Sequence, residues 1–590
     1  MKDHSANLKV MAKLMMRLLP IQILLAAVGS VNGIVSSFFA SNYIGVDAMS
    51  AVGLYGPVGM LVTSLATMLA GGSVILCGKY MGQNQQDKLQ NVFSLNLLLS
   101  GLISAIFIAV YLLLGIFHLT GFLTQDAAVR PIFDRYLLGQ AVGLLPTVLG
   151  AQIPAFLSLE NKGKRTMIAS VVYIIVNVIL NYWFIKVLDM GPFGLALATS
   201  LGMWTFLAVE IEPFVSGRTH LKLAARNLRW NESAAIVRIG FPGAASNVYQ
   251  TARGLIVNHL IEVFVGSVGI SAFAASDNLM RIFWAIPGGM LAVSRLMLSV
   301  SIGEEDRQSL TDVMRVVFRR YIPLMCAVCA GIILCAVPMT RIFFRDPAEP
   351  VYRMTVQGLR ILPLCMPLSI LCMHASCYAQ ASGKQALVHA LSLLDGVVCV
   401  AGFTALLIGR MGMKSVYVAN VLNGVVCVLV IYGYACFKKR RLPRTMDDYM
   451  VVPDDFGAPE DARIDLTLRS MEEVVSVSRQ VQEFCLSRGV DDRRAYLAGL
   501  AMEEMAGNVI DHGFTKDRKS HAVDVRVVHK DSDVILRLKD DCVPFDPGER
   551  QKLAENADPA KNIGIRMVFR IARDVQYQNI LGLNVLTIRI

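Results

Sequence analysis

Twelve apolar stretches of about 20 residues recur through the first 437 positions of this chain of 590 residues. A helix of about 20 residues crosses the ~30 Å hydrocarbon core of a bilayer, so each stretch is a predicted membrane span. The composition agrees, because 54% of the residues are hydrophobic and only 17% are charged, whereas soluble proteins have roughly 25% charged residues. The predicted spans cover approximately residues 18–40, 52–78, 91–117, 132–157, 166–188, 193–214, 236–262, 268–300, 314–340, 354–378, 385–408 and 414–437.

The distribution of charged residues orients these spans. If the N-terminus is cytoplasmic, the short loops on that side hold 24 Lys and Arg residues, against 8 on the other side. Positive charge collects in cytoplasmic loops, so we expect both termini on the cytoplasmic side of a bacterial inner membrane. The net charge is +14 before Asp455 and −3 from Asp455 onward. The basic excess therefore belongs to the membrane part and implies no nucleic-acid partner.

An internal repeat relates the two halves of the membrane part. Gly82 in MGQNQQDKL matches Gly303 in IGEEDRQSL, and Pro146 matches Pro367, each pair being offset by 221 positions. Since the repeated unit holds six spans, both copies enter the membrane in the same direction and form parallel lobes. The predicted units are a first lobe at 10–216, a basic cytoplasmic loop at 217–235, a second lobe at 236–437, a basic and then proline-containing linker at 438–462, and a soluble domain at 463–590.

Segments around the first two spans carry the most recognisable sequence. NYIGVDAMSAVGL follows the first span, GGSVILCGKYMGQNQQDKL follows the second, and Pro20 lies early in the first. Together with the two lobes, these segments resemble the multidrug and toxic-compound extrusion (MATE) transporters, from residue 10 to about residue 437. The resemblance implies a bilayer-embedded secondary transporter that exports small organic, cationic amphipathic compounds, driven by an H⁺ or Na⁺ gradient. Flippases of lipid-linked precursors share this architecture and remain an alternative.

Ionisable side chains inside the spans are the candidates for coupling, because they are costly at membrane depth and usually line a cavity. Asp277 and Arg281 lie four residues apart on one helix face, which fits either a structural ion pair or a coupling site. Asp395, in LSLLDGVVCV, has no evident partner nearby in the sequence. A carboxylate shielded from water can exchange H⁺ or Na⁺ near neutral pH. The other candidates are Arg253, His259, Arg295, Arg360, His374 and His389.

Many MATE proteins carry an acidic residue on the first span, where this sequence has Ser36 and Ser37. This difference argues against coupling through the first lobe. We therefore predict that the second lobe carries the coupling, and its predicted residues are Asp277, Asp395, Arg253 and Arg281.

Ten of the twelve cysteines lie in apolar runs of the membrane part, and we interpret them as small buried hydrophobic residues. Cys326 and Cys329 form a CxxC pair inside LMCAVCAGIIL, with no His or second pair nearby. The sequence therefore argues against a metal or redox role for that pair.

The last 130 residues change character after a linker with three prolines, LPRTMDDYMVVPDDFGAPE. VVSVSRQVQEFCLSR has helical spacing, a longer helix is predicted at about 493–511, and a third around 563–573. The segments VDVRVV and VILRLK alternate in polarity as strands do, and LNVLTIRI is predicted to be a closing strand. The overall prediction is an all-α membrane protein of two six-helix lobes, followed by a cytoplasmic α/β sandwich.

A polar stripe marks the longer helix of this domain. Glu504, Asn508 and His512 recur every four residues and so share one helix face. With LKDDCVPFDP and KNIGIRMV, the stripe resembles the GHKL nucleotide-binding fold, in the branch of small serine/threonine kinases that bind anti-sigma-factor partners. The resemblance implies that Asn508 ligates Mg²⁺ on ATP, that Glu504 acts as a base, and that Asp540 binds adenine. The implied nucleotide-binding residues are Asn508, His512, Asp540, Asn562 and Gly564.

Two positions depart from that family's pattern. Cys542 and Asn562 stand where GHKL proteins have glycine, and glycine there allows the backbone to approach the nucleotide closely. The domain is therefore predicted either to bind ATP or to serve only as a docking module. A different class of function also remains open, in which the membrane part senses a ligand and the tail phosphorylates a cytoplasmic partner of the anti-sigma-antagonist type.

Overall fold

The structure, a computed structural model, describes all residues except 1–3, 40–42, 45, 123–128, 224–227, 342–343, 345, 460, 515–520, 531–532, 549–562 and 581. The helices of the first lobe are α1 His4–Phe39, α2 Val46–Gly82, α3 Gln86–Ile116, α4 Val129–Ala141, α5 Leu144–Gly150, α6 Ile153–Leu159, α7 Gly163–Tyr182 and α8 Gly191–Val215. Those of the second lobe are α9 Asn231–Phe264, α10 Ser267–Gly303, α11 Arg307–Val316, α12 Ile322–Leu334, α13 Ala336–Thr340, α14 Pro350–Ile361, α15 Cys365–Ala381, α16 Gln385–Leu393, α17 Cys399–Met411 and α18 Lys414–Lys439.

Each of the twelve predicted spans coincides with one of these helices or with a chain of them. Among the described residues, ten helical segments are long and apolar enough to cross a membrane, and α4 with α5 and α6, bent by 54°, would make an eleventh. Helix α9 occupies the seventh predicted span but does not reach that standard, because Arg238, Arg253 and Glu262 interrupt its apolar run.

The two lobes meet closely at the end of the bundle where α2 and α10 finish. A Cβ atom on Gly82 would collide with the backbone of Val300 and Gly303, and one on Gly303 would collide with the backbone of Lys79. Both glycines therefore allow the two helix backbones to touch. Gly82 and Gly303 are equivalent positions of the sequence repeat, so the lobes close on each other at matching points.

The predicted linker is ordered along its first half and is held by the second lobe. Helix α19, Met446–Met450, lies beyond the last span. Arg307 at the start of α11 pairs with Asp447 at 2.6 Å and donates to the carbonyl oxygen of Pro453 at 2.8 Å. Lys384 Nζ donates to two carbonyl oxygens at the end of α19, each at 2.8 Å. The linker thus fixes the start of the soluble domain beneath the second lobe.

The soluble domain, called the tail below, is a sheet covered on one face by helices. Its described helices are α20 Met471–Ser487, α21 Asp492–Gly513 and α22 Ile563–Ile571. Its strands are β1 Arg463–Leu468, β2 Val523–Lys530, β3 Asp533–Asp540, β4 Asp574–Ile580 and β5 Leu583–Arg589, hydrogen-bonded in the order β1-β2-β3-β5-β4 with every neighbouring pair antiparallel. This confirms the predicted α/β sandwich, although β1 and β4 were not predicted from the sequence.

Strand alternation gives the sheet two chemically different faces. The valines and leucines of β2 and β3, such as Val525 and Leu536, pack with α20 and α21 in a core of their own. The intervening positions carry Arg526, Arg537 and Lys539, which contact the membrane part. Sheet residues therefore serve both as the core of the tail and as its contact with the lobes.

Candidate functional site

The main contact between tail and membrane part is the acidic loop, defined as Glu304–Asp306 between α10 and α11. Lys539 Nζ lies 2.6 Å from Glu304 Oε2 and 3.3 Å from Asp306 Oδ2. Arg526 pairs with Asp306 Oδ1, and Arg537 lies 3.7 Å from Glu304 Oε2. The side chains of Glu304 and Asp306 are only 4% and 3% exposed. Two carboxylates and three cations are thus removed from water together.

These buried charges hold each other in the ionised state. Burial alone would raise the pKa of Asp306, but Arg526 and Lys539 outweigh burial and hold that pKa well below its ordinary value. Burial also opposes the charge on Arg526, yet Asp306 and Asp465 raise its pKa. Removing one partner of a buried pair costs about 3–5 kcal/mol, because it leaves the other charge uncompensated. The acidic loop is therefore the contact on which docking of the tail depends most.

The tail also touches the first lobe, but with weaker contacts. Lys13 of α1 lies 2.5 Å from Asp541 Oδ2, with the lysine side chain 56% exposed. Gln578 of β4 donates to Asn84 Oδ1, in the loop between α2 and α3. That loop is the repeat equivalent of the acidic loop, and Gln83–Gln85 replace its three acidic residues. The tail is therefore held firmly by the second lobe and lightly by the first.

The polar stripe of α21 lies beside the start of α22. The Glu504 carboxylate lies directly over Gly564, where any Cβ atom would collide with it. Asn508 Nδ2 donates to the main-chain carbonyl oxygen of Glu504 at 2.6 Å. Asn508 also carries an amide oxygen, and an oxygen ligand is what Mg²⁺ prefers. His512 is about half exposed at the end of α21, and Asn562 lies outside the described residues.

Asp540 ends β3 on the helix-covered face of the sheet. It accepts hydrogen bonds from Asn584 Nδ2 at 2.7 Å and from the Cys542 backbone N–H at 2.9 Å. Burial raises the pKa of Asp540. Cys542 is buried, and its Cβ and Sγ would lie about 3 Å from a Cβ on Gly513. Gly513 therefore makes room for the side chain that replaces the family glycine at position 542.

The structure brings Asp395 and Arg253 together, as two of the four predicted coupling residues. Asp395 lies in a π-helical turn, Leu394–Val398, between α16 and α17, and such turns often mark functional sites. Its Oδ1 accepts from Asn423 Nδ2 at 2.7 Å, and Arg253 donates to its main-chain carbonyl oxygen at 3.3 Å. Asp395, which has no evident partner in the sequence, therefore has two from neighbouring helices.

Asp277 and Arg281 form the ion pair that their spacing predicts, at 2.9 Å. Their side chains are 44% and 67% exposed, so the pair lies on a surface of α10 rather than inside a lobe. The described residues place this pair and Asp395 in separate environments.

Glu210 is a membrane carboxylate that was not among the candidates predicted from the sequence. Glu210 of α8 is fully buried, and neither of its side-chain oxygens has a hydrogen-bond partner among the described residues. Glu212, two positions further, is partly exposed and pairs with Arg165 and Arg218. The two glutamates stand in the same apolar run, so only the packing of α8 distinguishes them.

Family comparisons divide the chain as the structure does. The MatE family matches residues 23–183 and 242–405, which together are more than half of the chain. The histidine kinase-like ATPase domain matches residues 468–590. The resemblance to MATE transporters is confirmed, and so is the GHKL-like fold of the tail; the serine/threonine kinase branch stays a prediction.

Among curated proteins, the chain is similar to the probable multidrug resistance protein NorM of Bacillus anthracis, with 23% identity over 34% of this chain and 48% of that protein. NorM of Listeria monocytogenes is 24% identical over 42% of this chain and 55% of its own length. The chain spans about half the length of the curated relatives it matches.

Solved structures support the same fold. A MATE protein in complex with MaL6 is 22% identical with a TM-score of 0.67, covering 73% of this chain and 96% of that one. An outward-facing multidrug resistance MATE family transporter of the MOP superfamily is 22% identical, with a TM-score of 0.66 over 71% of this chain and 94% of that one. The chain therefore belongs to the MATE family of integral membrane transporters and carries a C-terminal histidine kinase-like ATPase domain.

Proposed function

We propose that this protein is a cation-coupled exporter of small organic, cationic amphipathic compounds, with both termini in the bacterial cytoplasm. The names of its relatives, multidrug resistance proteins, support the cargo class. The two parallel lobes and their carboxylates support coupling to H⁺ or Na⁺. Asp395 is the residue on which this proposal rests, because its half-buried carboxylate accepts a hydrogen bond from Asn423 and its main-chain carbonyl accepts one from Arg253.

Glu210 is a second carboxylate that transport could involve. Burying an ionised carboxylate in an apolar interior is very unfavourable, so Glu210 would take up a proton when the first lobe closes around it and release one when the lobe opens to water. This property makes Glu210 the first-lobe residue to test beside Asp395.

The tail is proposed to restrain transport. Alternating access requires the lobes to separate at the end where Gly82 and Gly303 touch. The tail is fixed to the second lobe through the acidic loop and reaches the first lobe through Lys13 and Asn84. Separation of the lobes would break the first-lobe contacts, so the docked tail favours the state that is closed on the tail side.

Nucleotide binding is the proposed signal that changes docking. Asp540 faces the helices of the tail, whereas its neighbour Asp541 pairs with Lys13 of α1. Burial would raise the pKa of Asp541, but Lys13 and His521 lower it, so the contact with α1 stays charged. If adenine binding shifts the end of β3, Asp541 moves with it. The change would then be passed to the first lobe through the pair of Asp541 with Lys13. Bound ATP would bring the negative charge of its phosphates, and Mg²⁺ would neutralise part of that charge.

Replacing Asn508 tests the nucleotide site. In the purified full-length protein, Asn508→Ala is expected to weaken Mg²⁺-dependent ATP binding by about tenfold or more, because an oxygen ligand of Mg²⁺ is lost. Isothermal titration with a non-hydrolysable ATP analogue measures the affinity. Gln480→Ala, exposed on α20, is the matched control and should bind normally. If neither wild type nor Asn508→Ala binds nucleotide, the tail is a docking module only.

A further inference from the structure

A cluster of two thiols and a carboxylate lies inside the second lobe. Cys372 of α15, Asp395 of the π-helical turn and Cys427 of α18 place one Sγ, one carboxylate oxygen and one Sγ within 4.8 Å of one another. Cys372 and Cys427 are 4% and 0% exposed, and Asp395 is half-buried. Three helical segments of one lobe thus converge on a single point.

The neighbours of this cluster hold its groups in place. Asn423, one turn before Cys427 on α18, donates to Asp395 Oδ1 at 2.7 Å and lies 3.6 Å from Cys427 Sγ through its own side-chain oxygen. Asn423 therefore links the carboxylate to one of the two thiols of the donor set.

We propose that Cys372, Asp395 and Cys427 bind one thiophilic divalent cation of the Zn²⁺ or Cd²⁺ type. Thiolates select soft or borderline metals over Na⁺, Mg²⁺ and Ca²⁺. Around a tetrahedral Zn²⁺ with Zn–S bonds of about 2.3 Å, two sulfur ligands stand about 3.8 Å apart. The three donor atoms lie within 4.8 Å of one another, so the two sulfur atoms would approach by at most about 1 Å to reach that geometry.

The charges of a bound metal would be balanced by its ligands and one nearby cation. Two thiolates and one carboxylate would carry three negative charges, and M²⁺ with Arg253, which donates to the Asp395 main-chain carbonyl, would carry three positive ones. Cysteine binds a metal as the thiolate, so metal and protons compete for the sulfur atoms and affinity should rise with pH.

Cd²⁺ binding to the purified full-length protein tests the site. We expect the wild type to bind one more Cd²⁺ per chain than Cys372→Ala/Cys427→Ala, with a correspondingly stronger ultraviolet thiolate-to-metal charge-transfer band. The matched control, Cys326→Ala/Cys335→Ala, removes two exposed thiols and should bind as wild type does. Equal binding in all three proteins would overturn the proposal.

A second measurement does not depend on the folding of any variant. In the wild type, X-ray absorption at the cadmium edge should show two sulfur ligands together with oxygen ligands around the bound Cd²⁺. A coordination shell without sulfur would also overturn the site. Cd²⁺ binding should also inhibit transport, an expectation that rests on the proposed function of Asp395. If Cd²⁺ binds without inhibiting transport, that function is contradicted and the metal site still stands.

Discussion

Glu304→Gln/Asp306→Asn is expected to release the tail and to raise the rate of transport several-fold. The double substitution removes the acidic partners of Arg537 and Lys539 in the acidic loop and leaves Arg526 with Asp465 alone. Each broken buried pair costs about 3–5 kcal/mol, and 1.4 kcal/mol is about a tenfold change in an equilibrium constant. Docking should therefore weaken by at least about a hundredfold. Transport should rise because the lobes can then separate freely at the tail side.

Release is measured by limited proteolysis of the linker and transport by efflux from proteoliposomes. The matched control is Glu305→Gln, which removes a pair with Lys530 whose side chains are about half exposed. Exposed pairs contribute only about 0–1 kcal/mol, so this variant should behave as wild type. If the double variant resembles Glu305→Gln in both measurements, the tail does not restrain transport through the acidic loop.

Asp395→Asn is expected to abolish gradient-driven efflux while leaving the fold intact. The asparagine has the same size, and its Oδ1 still accepts the hydrogen bond from Asn423. It cannot exchange H⁺ or bind Na⁺ as a carboxylate does, so efflux should fall at least about tenfold, toward the rate without a gradient. Proteoliposomes with an imposed H⁺ or Na⁺ gradient provide the measurement. Cargo binding to the purified variant should persist.

Two further variants separate the alternatives for coupling. Asp277→Asn is expected to weaken efflux less, because Asp277 is partly exposed and already paired with Arg281. Glu210→Gln removes the buried carboxylate of the first lobe. If Glu210→Gln stops efflux and Asp395→Asn does not, coupling resides in the first lobe and the proposal for the second lobe is wrong.

The sequence predicted the elements of this protein better than their contacts. The 221-residue offset identified Gly82 and Gly303 as equivalent, because a repeat preserves local spacing. It could not predict that these two glycines touch, since that contact depends on how the lobes pack. In the same way, the spacing of Asp277 and Arg281 predicted their ion pair, whereas the partners of Asp395 come from helices distant in the chain.

In the tail, the sequence likewise predicted neither strand β4 nor the contact that the charged face of the sheet makes. Strand β4, DVQYQNI, has few apolar residues and gives little strand pattern, because part of it faces the polar first-lobe loop. Arg526 and Lys539 alternate with buried valines and leucines as solvent-facing residues normally do. Only docking against the acidic loop buries them. The sequence does contain a signal for this contact. The acidic residues Glu304–Asp306 of IGEEDRQSL align with the uncharged Gln83–Gln85 of MGQNQQDKL.

The central claim is that the tail bridges both lobes and holds them closed on its own side. A disulfide between Asn84→Cys and Gln578→Cys, identified by peptide mass spectrometry, tests it most directly. A matched disulfide between Glu305→Cys and Lys530→Cys joins the tail to the second lobe alone. We predict that the first disulfide stops efflux, that reductant restores it, and that the second disulfide does not stop it. Efflux at the wild-type rate with the Asn84–Gln578 disulfide formed would contradict the claim.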